Sequence, residues 1–147
     1  MSEIAFVFPG QGSQYVGMGS DFAREFSVSA DVFRTADLTL GFSISSLCFD
    51  GPEEELVKTE NAQPAILTTS IAILKAVEQI GIKCEITAGL SLGEYTSLVH
   101  SGALSFEDAV RIVKNRGRYM QEAVPLGVGG MAAIVGLEFD RLIEIVR

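Results

Sequence analysis

The stretch "TAGLSLGEYTSL", residues 87–98, sets Ser91 between Gly89 and Gly93 in a Gly-x-Ser-x-Gly frame. An apolar run ends there and a helical pattern begins, which predicts a strand over 84–90 and a helix over 91–100 that starts at the serine. A serine at such a junction is chemically useful. Flanking glycines allow a tight turn that thrusts Oγ out of the backbone. The helix N-terminus behind it offers unpaired N–H groups and the positive end of a dipole, both suited to a developing oxyanion. The same five-residue frame also arises by chance.

A nucleophilic serine needs a base. The chain's one histidine is His100, nine residues beyond Ser91. On one helix that separation spans roughly 13 Å, far beyond the ~3 Å reach of a general base. His100 is therefore expected in a surface or packing role. No histidine follows it, so the Ser–Asp–His order of a complete α/β hydrolase is not met.

Outward from the motif, the remaining segments alternate between strand and helix patterns, the signature of an α/β fold. Residues 4–8, "IAFVF", end at Pro9-Gly10 and read as a strand buried on both faces, of the kind found in parallel sheets. Helices are expected near 20–36 and 53–58, the second behind Pro52 and three glutamates. A largely buried helix is expected over 61–81, with Asn61 as cap, Pro64 in the first turn and Gly81 as stop. Ser105 and Asp108 form a capping box for a helix over 105–125. "GGMAAIVGL" (129–137) reads as a strand and "EFDRLIEIVR" (138–147) as a last helix.

At 100° per residue along 105–124, Phe106, Ala109, Val113, Met120 and Val124 share one face. Arg111, Lys114 and Arg118 lie opposite. Arg116 falls on the apolar side, near Ala109 and Met120. A buried guanidinium needs an anionic partner. That partner is either one of the chain's own carboxylates or a substrate carboxylate held bidentately, unless the side chain snorkels to solvent.

The loop "PGQGSQYVGMG" (9–19) has neither the G-K-[ST] of a phosphate loop nor G-x-G-x-x-G spacing. Gln11, between two glycines, is placed either to offer its backbone N–H to an oxyanion or simply to turn the chain.

Composition bounds the rest. The 147 residues are 48% hydrophobic, enough for one domain with a core. Mean hydropathy is +0.33, yet no apolar run reaches the ~18 residues that would span a bilayer. The N-terminus lacks the basic flank of a signal peptide, so a cytoplasmic location is expected. Cys48 and Cys84 have no metal-ligand spacing, which points to reduced thiols and no metal site. The net charge of −8 argues against nucleic-acid binding.

Together "FVFPGQGSQYVGMG", "TENAQPAILTTSIA", "AGLSLGEYTSLVHSGALSFEDAV", "NRGRYMQEAVP" and "GGMAAIVGL" closely resemble the malonyl-CoA:acyl-carrier-protein transacylases and the acyltransferase domains of polyketide synthases. The resemblance implies malonyl transfer in fatty-acid synthesis, from malonyl-CoA to the phosphopantetheine thiol of acyl carrier protein, through an ester on Ser91. It implies an oxyanion hole from the backbone N–H groups of Gln11 and Leu92, and Arg116 as the grip on the malonyl carboxylate. No cofactor, metal, nucleic acid or membrane is implied; malonyl-CoA is a substrate.

Two departures stand out. Leu90 replaces the histidine that usually precedes the nucleophile, which changes the polarity of the pocket. Family members are also roughly twice as long, with their catalytic histidine in the second half. The resemblance therefore implies an incomplete hydrolase-like parallel-sheet subdomain over 1–127 and the beginning of a ferredoxin-like one over 128–147. Sheet edges and apolar faces should be left uncovered, and turnover should be low unless a second chain supplies the missing half. An inactive fragment that binds malonyl-CoA or carrier protein, or a small serine esterase, are the alternatives.

Overall fold

A computed structural model describes residues 4–125, 127–129 and 134–146. Its elements run β1 (Ala5–Phe8), α1 (Ser20–Glu25), α2 (Ser27–Leu40), α3 (Ile44–Asp50), α4 (Glu53–Leu56), α5 (Thr59–Gln79), β2 (Ile86–Gly89), α6 (Gly93–His100), α7 (Phe106–Ala123) and α8 (Phe139–Ile145). The result is a mixed α/β fold with a small parallel sheet. β1 pairs with β2 in the register Ala5↔Ile86 to Phe8↔Gly89, and α1 to α5 form the crossover between them.

β1 is not buried on both faces. Phe6 and Phe8 turn inward, and both rings lie against His100 of α6. Alternation sends their neighbours the other way: Val7 is 74% exposed and its face-mate Ile86 62%. Among the described residues nothing packs on that second face, so the uncovered apolar surface expected from the resemblance is present.

α5 is the central element, with Ala62 to Leu67, Thr68, Thr69, Ile71, Ala72, Leu74 and Ala76 buried. It packs on α2 and α7. The buried Ser29 hydroxyl donates to the Ala72 carbonyl at 2.7 Å, tying α2 to it. Against α7 the approach is close enough that a Cβ on Gly117 would sit 2.6 Å from the Thr59 carbonyl oxygen. The helix begins at Thr59 rather than at Asn61, so Pro64 lies in its second turn. Asn61 does not cap; its side-chain amide donates to the Glu55 carbonyl at 3.0 Å. The stop at Gly81 is a Schellman turn. Gly81 has φ 88, its N–H reaches the Glu78 carbonyl at 3.0 Å, and the Ile82 N–H reaches the Val77 carbonyl at 3.2 Å.

Other boundaries differ as well. The helix expected over 20–36 is two helices, broken at Phe26, whose φ of −123 is extended. α3 was not anticipated. Its cap, Ser43, accepts from the Ser46 N–H, and Asp37 accepts from the Ser45 N–H at 2.9 Å. The Ser105 cap of α7 is as expected, accepting from the Asp108 N–H at 3.2 Å. On the apolar face of α7, Ala109, Val110, Val113 and Gly117 are buried, whereas Val124 is exposed beyond the helix end. Lys114 is not simply solvated; it donates to Glu60 at 3.4 Å and to the Asn61 side-chain oxygen at 3.2 Å. The strand expected over 129–137 falls partly outside the described residues, and its described residues, 129 and 134–137, carry no strand pairing.

Cys48 of α3 is fully buried. Burial pushes its thiol up from 9.0 to about 12, opposed by the Thr69 hydrogen bond and helped by the charge of Asp37. Above pH 9.0 the unfolded chain releases this proton while the folded chain keeps it. The stability held at lower pH is therefore lost as pH rises toward about 12. Urea unfolding as a function of pH should show a downward slope in this window that is shallower in Cys48→Ala, by up to about 1.4 kcal/mol per pH unit.

Candidate active site

The carboxyl ends of β1 and β2 build the site. The Leu90 N–H donates to the Phe8 carbonyl at 3.1 Å, carrying the pairing one residue past β2. The chain then turns, with the Gly93 N–H returning to the Leu90 carbonyl at 2.9 Å. Ser91 occupies this turn with φ 53, the one positive φ outside glycine among the described residues. That conformation costs a non-glycine residue about 1–2 kcal/mol and holds only where the surroundings over-determine it.

The surroundings do so by close contact. A Cβ on Gly93 would be driven into the Phe8 carbonyl, and a Cβ on Gly89 into the backbone of Gly93. The glycines of the motif are thus required by backbone proximity. α6 begins at Gly93, two residues after the serine and not at it. The exposed Oγ of Ser91 stands on the turn itself, ahead of the helix.

The same proximity brings the loop after β1 alongside. A Cβ on Gly10 would lie 2.8 Å from the Leu90 carbonyl oxygen, so Gln11 follows directly on a residue in contact with the elbow. The Ser13 hydroxyl donates to the Gly10 carbonyl at 2.9 Å, and the Gly12 N–H donates to the Gln14 side chain at 2.9 Å. Among the described residues the backbone N–H groups of Gln11 and Leu92 have no acceptor. Leu92 is fully buried, whereas Leu90 is 72% exposed and presents an apolar side chain at the rim.

Arg116 reaches the elbow from α7. Its Nη2 donates to Ser91 Oγ at 3.1 Å and its Nη1 to Gln63 Oε1 at 2.6 Å. The guanidinium carbon stands 5.7 Å from the Tyr95 ring centroid. No acidic side chain pairs with it among the described residues. Of the alternatives open in the sequence, the internal ion pair is therefore not the one formed.

Gln63 went unassigned in the sequence. It is 1% exposed; its Nε2 donates to Gln11 Oε1 at 3.2 Å, and Gln11 Nε2 donates in turn to the Thr59 hydroxyl at 3.1 Å. One chain of hydrogen bonds thus links the loop after β1, α5, α7 and the serine. A glutamine set beside Pro64 at the head of the apolar part of the helix was the available signal.

His100 is not part of this group. It ends α6, where its Nε2 lies 3.1 Å from Cys84 Sγ. Arg116 cannot act as a base, because a guanidinium stays protonated. Among the described residues no proton acceptor stands at Ser91 Oγ. A shallow cleft of about 550 Å³, lined by Ile112, Asn115, Arg116, Tyr119, Met120 and Ala123, adjoins the guanidinium. A second cleft of about 580 Å³, which includes Arg24, Phe33, Asp37 and Phe49, lies among α1, α2 and α3, away from the serine.

Residues 5–144 match the acyl transferase domain family. The chain belongs to that family. It is 53% identical over 145 residues to the malonyl CoA-acyl carrier protein transacylase of Bacillus subtilis, covering 99% of this chain and 46% of the relative. The Escherichia coli K12 protein of the same name is 50% identical over 139 residues, covering 94% and 45%. The crystal structure of malonyl CoA-acyl carrier protein transacylase from Clostridium perfringens superposes with a TM-score of 0.87 at 50% identity, covering 99% of this chain and 46% of that one. A malonyl-transacylase in complex with a type II polyketide synthase acyl-carrier protein gives 0.80 at 48% identity, covering 84% and 40%. The chain thus spans about half the length of the relatives it matches.

Gln63→Leu should uncouple the two sides of the site. It leaves the part-buried Arg116 Nη1 without its acceptor and frees the exposed Gln11 carboxamide, so urea denaturation should register a loss of about 1–3 kcal/mol. An unchanged midpoint would mean that water replaces Gln63 without loss.

Proposed function

We propose that this chain carries the nucleophile, the oxyanion donors and the carboxylate clamp of a malonyl transferase that acts between malonyl-CoA and acyl carrier protein in fatty-acid biosynthesis. The observation that carries the reading is Arg116: a partly buried cation with no carboxylate partner among the described residues, one of whose nitrogens touches Ser91 Oγ. In a malonyl ester on Ser91, a single methylene would separate the ester carbonyl from the free carboxylate. A guanidinium already at Oγ is within reach of both groups. An acetyl group would leave the cation unpaired, which favours the dicarboxylic substrate.

In this proposal Ser91 Oγ attacks the thioester carbonyl, and the N–H groups of Gln11 and Leu92 receive the negative charge that develops on its oxygen. The thiol of coenzyme A leaves, and the phosphopantetheine thiol of the carrier protein later takes the acyl group. The proton of Ser91 needs an acceptor that none of the described residues supplies. Its proposed source is a histidine outside these 147 residues, on the same polypeptide or on a second chain. Residues 1–127 would then belong to a hydrolase-like subdomain and 128–147 to a ferredoxin-like one. The names of the relatives and the complex of one neighbour with a carrier protein support this reading.

Calorimetric titration with malonyl-CoA and acetyl-CoA tests the clamp without requiring turnover. Arg116→Ala should weaken malonyl-CoA binding by about 1.5–3 kcal/mol, roughly tenfold or more, and leave acetyl-CoA nearly unchanged. Equal losses for both ligands, or none for either, would remove Arg116 from the role.

A further inference from the structure

At the end of β2 opposite Ser91, three side chains from separate elements converge. Cys84 precedes β2, His100 closes α6, and Glu78 lies in the last turn of α5. Cys84 Sγ stands 3.1 Å from His100 Nε2, and His100 Nδ1 stands 3.2 Å from Glu78 Oε1. The carboxylate oxygen is out of line with the ring nitrogen, which has no hydrogen-bond partner. Glu78 therefore acts on the imidazole chiefly through its charge. Its other oxygen accepts from Lys75 at 2.8 Å. The rings of Phe6 and Phe8 lie 5.5 and 6.4 Å from the imidazole and wall it from β1.

A thiol in contact with one imidazole nitrogen, with a carboxylate near the other, is the arrangement of nucleophile, base and orienting group. Moving the thiol proton to Nε2 would place an imidazolium between the Glu78 carboxylate and the ring of Phe6. The site is remote from the serine, since α6 separates the two by its length, about 12 Å. Cys84 is half-buried and His100 has 17% of its side chain exposed, so a small reagent has access. Cys48, in contrast, is fully buried and has no imidazole beside it.

We propose that Cys84 is a thiol-exchange site for small-molecule disulfides, with His100 as its base. The Cys84 proton passes to His100 Nε2 while Sγ attacks one sulfur of the disulfide. A bond forms between the two sulfurs, the original S–S bond breaks, and the leaving thiolate takes the proton back from His100. Cys84 is left as a mixed disulfide and one free thiol is released, with no other oxidant required.

The test is the rate at which Cys84 is modified by oxidised glutathione, followed by intact mass and peptide mapping. The folded protein is compared with the same protein unfolded in urea. Folded, Cys84 should react about tenfold faster or more than in the unfolded chain, with Cys48 unmodified. His100→Gln should bring the folded rate down to the unfolded value, and Glu78→Gln should lower it by a smaller factor. A Cys84 that reacts more slowly folded than unfolded would overturn the proposal without recourse to any variant. So would a His100→Gln protein that reacts as fast as the parent.

Discussion

The contact between Gly93 and the Phe8 carbonyl is the constraint on which the site depends. Two parallel strands deliver their carboxyl ends side by side, and the chain leaving β2 must pass directly over the end of β1. Only a residue without a side chain fits at that crossing. The preceding turn is thereby forced tight enough to hold Ser91 at positive φ with its hydroxyl exposed. The loop after β1 is pressed against the same turn through Gly10, so Gln11 follows directly on a residue in contact with the elbow, and among the described residues the backbone N–H groups of Gln11 and Leu92 have no acceptor. Side chains contribute little to this part of the site.

Side chains act instead through Arg116 and Gln63. A guanidinium on the apolar side of a helix is expensive to hold unless every polar contact is placed. Here Gln63 occupies one nitrogen and is itself fixed by Gln11, so the fork points at Ser91 with little freedom. Tyr95 packs near the guanidinium, a contact favourable to a cation and indifferent to acyl chemistry. The unfilled demand is for negative charge, and the proposed substrate brings it.

Much of this was legible in the sequence because it follows from local rules. Gly-x-Ser-x-Gly at an apolar-to-helical transition gave the elbow, and projection at 100° per residue put Arg116 on the wrong face for a solvated charge. Ser105 and Gly81 marked helix ends, since a capping serine and an αL glycine act on neighbouring backbone groups. What escaped depends on long-range contacts. Gln63 reads as one polar residue in a helix until its partners arrive from positions 11 and 116. α3 is short, and its start is held by Asp37 from the preceding helix. The exposed face of β1 could not be foreseen from "IAFVF", because an apolar run records what a strand is built to bury, while its exposure here reflects the elements present around it.

In the proposed function Ser91 is an acyl-accepting nucleophile that stands beside Arg116 and lacks a base among the described residues. The most direct test is intact mass and peptide mapping after incubation with malonyl-CoA, with and without added imidazole. The expected result is a malonyl ester on Ser91 that forms slowly, forms faster when imidazole stands in for the base, and is absent in Ser91→Ala. A folded sample that acquires no adduct even with imidazole, or an adduct that survives Ser91→Ala, would contradict it.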